Sequence, residues 1–285
     1  MIRNRLKPKN DFIFQRLFGE VETKDTLISL LNAILRLPPQ QQLADLTVIE
    51  NKALIKEFID DKTGRLDIRA KTLDGVQINI EMQMTNEHNM DRRTLFYFGK
   101  LFLESIKSGD KFQDLKRTIT INLLNFNFLP IESFHSTFHL YEDHERDYKL
   151  TDLIELHFIE FPKFRAIQHD LLDPLHRWLL YMEENLSENL LEELISMDPV
   201  IKKTEERLEW LSSDAETLRR YDMRENSRIE LNSIMYELTI AQEKGEREGK
   251  LAVAKELLLT GMSPEAISSV TKLSLQDVQN LVDER

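Results

Sequence analysis

The spacing of apolar residues predicts two helices near the start of the chain. Residues 11–18 show a short helical pattern, and a longer one runs from Thr23, a favourable N-cap, through residues 27–35. Pro38 and Pro39 end the second helix because proline disrupts the helical hydrogen-bond pattern.

Extended chain is predicted next, and its last two stretches indicate a hairpin. Residues 46–59 are rich in β-branched and apolar side chains, while residues 65–72 and 76–84 alternate between apolar and polar positions. Asp74 and Gly75 supply the turn between the alternating stretches. One face of the last stretch carries the polar side chains Gln77, Asn79, Glu81 and Gln83.

The register of this hairpin decides which side chains share a face. A two-residue turn would place Asp67 opposite Met82, on the apolar face. A three-residue loop of residues 73–75, with Gly75 at positive φ, places Asp67 opposite Glu81 instead. This longer loop sets Thr72 beside Val76 but keeps apolar residues together, Ile68 with Ile80 and Ala70 with Ile78. Burial of the apolar face therefore favours the three-residue loop.

Later elements complete the pattern of the sheet. A helix is predicted over residues 90–107, ended by Gly109, and the almost continuously apolar residues 118–126 predict a strand buried on both faces. Residues 134–141 and 152–160 predict further, more exposed strands.

The chain becomes helical after about residue 168. A long charged helical pattern covers residues 214–260, interrupted at Gly245 and Gly249, and two short helices capped by Ser263 and Ser274 follow. A helix-turn-helix DNA reader is the alternative for these two helices, but the last one has no basic residue to anchor phosphate. We therefore predict that they serve self-association or protein docking.

Composition excludes several classes of protein. The chain has 285 residues, 41% of them hydrophobic, which suffices for a sizeable core, and it contains no cysteine. Disulfides, thiolate metal sites and a cysteine nucleophile are therefore excluded. No stretch approaches the ~20 apolar residues of a membrane span, and the basic N-terminus lacks a secretory signal, so we expect a cytoplasmic protein without a membrane partner.

Charge is distributed unevenly along the chain. The formal net charge of −12 would oppose DNA binding if it were spread evenly. Residues 1–16, however, hold five basic side chains against one acidic, and residues 88–117 hold seven against four. A phosphate-binding surface is thus expected on the N-terminal half only, the alternative being ordinary solvated helix charge.

The hairpin carries the main candidate chemistry. Asp67, Glu81 and Gln83 offer two carboxylates and an amide, and the backbone carbonyl of Met82 lies between the last two. Divalent cations that activate water for phosphodiester hydrolysis need such hard oxygen ligands. The alternative is the solvated face of an ordinary hairpin.

The residues around this hairpin resemble a known family. The string KTGRLDIRAKTLDGVQINIEMQM at residues 62–84 is similar to the PD-(D/E)XK signature of the Rpn family of recombination-promoting nucleases, whose members are also described as transposases. The similarity extends to KNDFIFQRLFG at residues 9–19, to residues 92–126 and to the tail at residues 243–282.

The resemblance implies a fold and a reaction. The fold is α/β, a restriction-endonuclease-like mixed sheet flanked by helices over residues 1–165, followed by a helical region over residues 166–285. The reaction is DNA hydrolysis by an endonuclease dependent on Mg²⁺, with Mn²⁺ as an alternative ion, in support of recombination or DNA mobility. A fragment ending near residue 165 is expected to keep the metal site and to lose a homodimer formed by the helical region.

Roles of individual residues follow from the same resemblance. Asp67 and Glu81 would hold the metal, and Gln83 stands where the wider superfamily has lysine, so it can orient water but cannot neutralise charge. A cation such as Arg69, Lys71 or Arg92 is expected to compensate. Independently of the resemblance, helical spacing brings Arg92, Arg93, Tyr97 and Lys100 together beside the hairpin, the alternative being solvated helix charge. The residues expected to contact DNA are these four with Arg69 and Lys71.

Other interpretations remain open from sequence alone. Asp11 could add an acidic contact or cap its helix, and His135 and His139 could share a face but lack a third zinc ligand nearby. The whole chain could be a weak or inactive nuclease that binds DNA or assembles. It could also be a protein-binding regulator without DNA affinity.

Overall fold

The computed structural model describes residues 5–49 and 68–283. Within these residues a six-stranded mixed sheet has the order β1-β2-β3-β4-β6-β5. The strands are β1 (Leu46–Val48), β2 (Ile68–Thr72), β3 (Gln77–Gln83), β4 (Thr118–Leu124), β5 (His135–Tyr141) and β6 (Lys149–Glu160). The central pairs β3 with β4 and β4 with β6 are parallel, and the outer pairs are antiparallel.

Helices flank the sheet and then continue to the end of the described chain. They are α1 (Asp11–Phe18), α2 (Lys24–Leu35), α3 (Met90–Glu104), α4 (Phe161–Arg165), α5 (Pro174–Tyr181), α6 (Glu188–Met197), α7 (Pro199–Ser213), α8 (Ala215–Leu259), α9 (Pro264–Thr271) and α10 (Leu275–Asp283). This is the predicted arrangement of a mixed sheet flanked by helices and followed by a helical region. No helix in the described ranges is both long and apolar enough to cross a lipid bilayer.

The β2–β3 hairpin has the predicted register. Ile68 pairs with Ile80, and the Thr72 N–H donates to the Val76 carbonyl at 3.0 Å, which leaves residues 73–75 as the loop. Gly75 has a φ of +93°, a conformation that glycine adopts without steric cost. The three-residue loop is therefore confirmed, and with it the burial of both apolar strand faces on the same side.

The two faces of the sheet are covered by different helices. On one face, side chains such as Ile80 and Ile121 belong to an apolar core that includes Phe14 of α1 and Leu30 of α2. The other face is covered by α3, whose Thr94 hydroxyl lies 3.2 Å from Asn122 Oδ1 on β4. Every residue of β4 is buried, as predicted, because helices lie on both sides of it.

Helices α5 to α7 belong to the same core as the sheet. Trp178 and Tyr181 of α5 and Leu208 and Leu211 of α7 are buried in the apolar cluster that contains the β-strand isoleucines. The first compact unit accordingly runs from Met1 to Arg224, past the predicted boundary at residues 165–166. A fragment ending near residue 165 would leave this apolar surface exposed to water.

The second compact unit, Glu225–Arg285, has a small core of its own. Ala254, Ile267, Val278 and Leu281 form its centre, and Ser263 caps α9 as predicted by accepting from the Ala266 N–H at 3.3 Å.

Two local expectations are wrong. Gly245 and Gly249 do not interrupt α8, a continuous helix of 45 residues, because an exposed glycine costs a helix only about 1 kcal/mol. Thr23 stands at the N-cap position of α2 but does not cap it with its side chain, because its hydroxyl donates to the Glu20 carbonyl at 3.2 Å.

Candidate active site

The polar face of β3 is almost entirely buried. Asn79 and Glu81 expose at most 1% of their surface, and Gln83 at the end of the strand is half-buried. Alternation puts these side chains on the face opposite Ile78 and Ile80, and α3 covers them. A solvated hairpin face, the alternative considered above, is therefore excluded for Asn79 and Glu81.

Three side chains donate hydrogen bonds to the Glu81 carboxylate. The Asn79 amide lies 3.4 Å from Oε1, while the Gln83 amide and the Arg93 guanidinium each lie 3.3 Å from Oε2. Arg93 reaches Glu81 from α3 and lies over the Tyr97 ring, with its Cζ 5.4 Å from the ring centroid. A buried carboxylate needs such partners, since an uncompensated charge in a protein interior is costly.

Asp67, the second predicted metal ligand, lies outside the described residues. The described part of β2 supports its predicted position only indirectly, because Ile68 pairs with Ile80 and Arg69 with Asn79. The placement of Asp67 opposite Glu81 stays a prediction.

The donor atoms around Glu81 fit a hard divalent cation. Besides the carboxylate, the buried oxygen Oδ1 of Asn79 and the buried hydroxyl of Thr120 on β4 have no hydrogen-bond partner. Buried oxygens are normally paired, so each of these two keeps an acceptor site for a further polar ligand. Oxygen donors of this kind are those that Mg²⁺ and Mn²⁺ bind. The Met82 carbonyl stays a predicted ligand.

Residues predicted to contact DNA have different environments. Arg92 of α3 and Lys71 of β2 are exposed, and Lys100 is half-buried, on the same side of α3 as Arg93. Tyr97 is buried beneath Arg93. The side chain of Arg69 is also buried, and it forms an ion pair with Glu104.

The basic N-terminal stretch forms ion pairs within the chain. Arg5 lies 2.9 Å from Glu205, Lys7 3.5 Å from Glu184 and Lys9 2.9 Å from Glu183, so three of its cations contact acidic residues of the helical half. Arg16 lies 2.6 Å from Glu20. The expectation that these residues form a phosphate-binding surface is therefore corrected, because their charge is already neutralised locally.

Asp11 lies in the first turn of α1 but is not the cap. Asn10 caps this helix through its side-chain oxygen, 3.1 Å from the Phe12 N–H. Asp11 forms an ion pair with Arg224 at 3.2 Å. Neither contact brings Asp11 to Glu81.

A histidine cluster lies on the opposite face of the sheet. His135 Nε2 is 2.9 Å from His157 Nδ1, and His157 Nε2 is 2.7 Å from Glu155. His139 lies 3.5 Å from the other Glu155 oxygen, which Arg117 also contacts. The cluster lines a cavity of about 350 Å³. His135 and His139 thus do share a face, but no group of three His, Cys, Asp or Glu in the described chain could hold a metal ion.

The cluster is expected to make stability depend on pH. Burial, and then the neighbouring His157, lower the pKa of His135 to about 4. Because this histidine takes up a proton near pH 6.5 when unfolded, its contribution to stability is complete above that pH and is lost as the pH falls towards 4. Burial alone would raise the pKa of Glu155, but hydrogen bonds from His157 and Arg117 lower it to about 2.

We therefore expect His135→Gln to lose less thermal stability than the parent protein between pH 6.5 and pH 4. Melting temperatures measured across this range check the prediction. His144→Gln, on the exposed turn before β6, is the matched control. Equal pH dependence in the parent and His135→Gln would contradict the assignment.

Polar residues on both faces of the sheet were not predicted from the sequence. Thr120 and Asn122 lie beside Asn79 and Glu81 on the parallel neighbour β4. Within TITINLLNF the first three polar residues occupy every second position, which would place them on one face of the strand. This alternation is hard to recognise because the rest of the stretch is mostly apolar. His157 and Glu155 were missed because sequence does not show which strand lies beside β5.

Comparison with known proteins gives one match. Residues 8–237 match the model of the PD-(D/E)XK nuclease family transposase. No curated protein and no solved structure matches the chain. The matched range contains the whole sheet, Glu81 and α3, so the mixed sheet and its flanking helices are a restriction-endonuclease-like α/β fold. The chain belongs to the PD-(D/E)XK nuclease family transposases.

Proposed function

We propose that the protein is a metal-dependent DNA endonuclease that hydrolyses phosphodiester bonds. The observation that carries the proposal is the buried Glu81 carboxylate, which accepts from the Asn79 amide, next to the unpaired Asn79 Oδ1 and the neighbouring Thr120 hydroxyl on β4, in a chain of a nuclease family. An oxygen without a hydrogen-bond partner keeps the lone pairs that a hard divalent cation binds.

The chain's own residues would divide the work as follows. Glu81, Asp67 and the Met82 carbonyl would hold Mg²⁺ or Mn²⁺, with Asn79 orienting the Glu81 carboxylate through its amide. The bound ion would activate water and stabilise charge on the phosphate. Gln83, half-buried at the end of β3, would orient the attacking water.

DNA would bind over α3 and β2. Arg92 and Lys71 are exposed and Lys100 is half-buried, so their charges can reach a phosphate backbone beside the site. Arg69 is less suited to this, since its buried side chain is paired with Glu104. A cytoplasmic location, a role in recombination or DNA mobility, and a homodimer through the C-terminal helices are further parts of the proposal.

Binding to DNA is expected to weaken steeply with salt and to show little sequence preference. Each phosphate contact by a lysine or arginine contributes about 0.9 to the slope of log affinity against log salt. Arg92→Gln removes one such contact and should therefore reduce the slope by about 0.9. The affinity for DNA is measured by fluorescence anisotropy at several salt concentrations in Ca²⁺. An affinity that stays flat from low to moderate salt would contradict the DNA surface.

Nicking of supercoiled plasmid tests the proposal. We expect cleavage in Mg²⁺ or Mn²⁺ and none in EDTA. Binding without cleavage in any of these metals would favour the second candidate, an inactive DNA-binding or assembly protein that keeps the nuclease fold. The substitution of glutamine for the superfamily lysine is the observation that favours this candidate.

A further inference from the structure

We infer that Arg93 is a catalytic residue that supplies the positive charge missing at Gln83. This inference rests on the proposed nuclease function and names the residue that completes its site. Arg93 Nη2 lies 3.3 Å from Glu81 Oε2, the same oxygen that the Gln83 amide contacts at 3.3 Å. The guanidinium therefore lies beside the side chain whose charge it would replace.

The surroundings of Arg93 leave it able to bind an anion. Its side chain is 19% exposed, so it is neither sealed in the core nor fully solvated. A guanidinium carries five N–H donors in a rigid fork, and Glu81 engages Nη2. The Cζ of the group lies over the Tyr97 ring, 5.4 Å from its centroid, a cation–π contact that helps to hold the side chain in place.

Other nearby cations are less well placed. Arg69 is held by Glu104, and Lys71 pairs with Gln77, four residues or about 13 Å along β3 from Glu81. Arg92 precedes Arg93 on α3, so its side chain points about 100° away around the helix, and it is exposed.

The reaction shows where this charge is needed. The oxygen of water forms a bond to phosphorus as the water gives up one proton, one phosphorus–oxygen ester bond breaks, and the departing oxygen takes up one proton. Negative charge grows on the non-bridging phosphate oxygens before that bond breaks. Arg93 would donate to one of these oxygens and stabilise its negative charge. The Gln83 amide can donate a hydrogen bond there, but it carries no positive charge. Because a cation at Glu81 repels the guanidinium, Arg93 also weakens metal binding.

Arg93→Gln therefore has two expected effects of opposite direction. Cleavage at saturating DNA and metal should fall about 100-fold, as when one charge-stabilising donor is removed from an active site. The affinity for Mn²⁺, measured by calorimetry without DNA, should rise roughly fivefold, since one competing charge is lost. Arg93→Lys, which keeps the charge but not the fork, should retain intermediate activity. Arg146→Gln, on the exposed β5–β6 turn, is the matched control.

Gln83→Lys in the Arg93→Gln background should recover most of the lost rate. The inference is overturned if Arg93→Gln cleaves like the parent protein, if it loses Mn²⁺ affinity in step with activity, or if Gln83→Lys restores nothing. Should Arg93→Gln fail to fold, Arg93→Met, which also removes the charge, would overturn it equally by cleaving at the rate of the parent protein. A parent protein that binds Mn²⁺ but cleaves no DNA would instead contradict the proposed function itself.

Discussion

Glu81→Gln should reduce DNA cleavage by at least about 1000-fold, which corresponds to about 4 kcal/mol of transition-state stabilisation. The substitution keeps the shape of the side chain but removes the negative charge that a divalent cation requires. It also leaves Arg93 without its carboxylate partner, 3.3 Å away in the parent protein. Asp67→Ala is expected to have a similar effect.

The control for Glu81→Gln is Glu87→Gln, which makes the same chemical change on an exposed loop residue just after β3. Rates are measured by plasmid nicking, and thermal unfolding shows whether each variant is folded. Nicking by folded Glu81→Gln within tenfold of the parent rate would contradict the role of Glu81.

A chain that ends after residue 165 should fail to fold, whereas one that ends after Arg224 should fold normally. The shorter fragment lacks Trp178, which is fully buried with its indole N–H 3.2 Å from the Ser29 hydroxyl. It also lacks Glu205 and Glu183, the partners of Arg5 and Lys9. Loss of one large core side chain costs about 3–5 kcal/mol, and a whole domain is stabilised by only about 5–15 kcal/mol.

Circular dichroism during heating distinguishes the two fragments. The longer one should unfold cooperatively, and the shorter one should show no transition. A cooperative transition in the shorter fragment would support the fold boundary expected from sequence. Light scattering of the longer fragment also tests the proposed homodimer, because removal of the exposed apolar residues of α8, such as Ile229 and Ile234, should leave a monomer.

The hairpin was predictable because its physics is local. Strict alternation over residues 76–84 fixed the faces of β3, and burial of Ile68 with Ile80 fixed the register. The extent of the first compact unit was not predictable in this way. Contacts such as Arg5 with Glu205 join residues 200 positions apart, and no local pattern marks them.

The candidate site shows the same division between local and long-range information. Glu81 and Gln83 were found from alternation and family resemblance, but the compensating cation was expected at Arg69, Lys71 or Arg92. The structure brings Arg93 to Glu81, since the rotation of α3 against the sheet decides which of two adjacent arginines faces inward. That rotation is set by buried contacts such as Thr94 with Asn122.

Paramagnetic broadening by Mn²⁺ tests the central claim most directly. Signals of the side-chain amides of Asn79 and Gln83, both within 3.4 Å of Glu81, are recorded by NMR as Mn²⁺ is added without DNA. We predict that these two signals broaden at Mn²⁺ concentrations that support cleavage, while those of Gln276 and Asn280 on α10 stay sharp. Sharp signals from Asn79 and Gln83 at those concentrations would show that the metal binds elsewhere and would contradict the account.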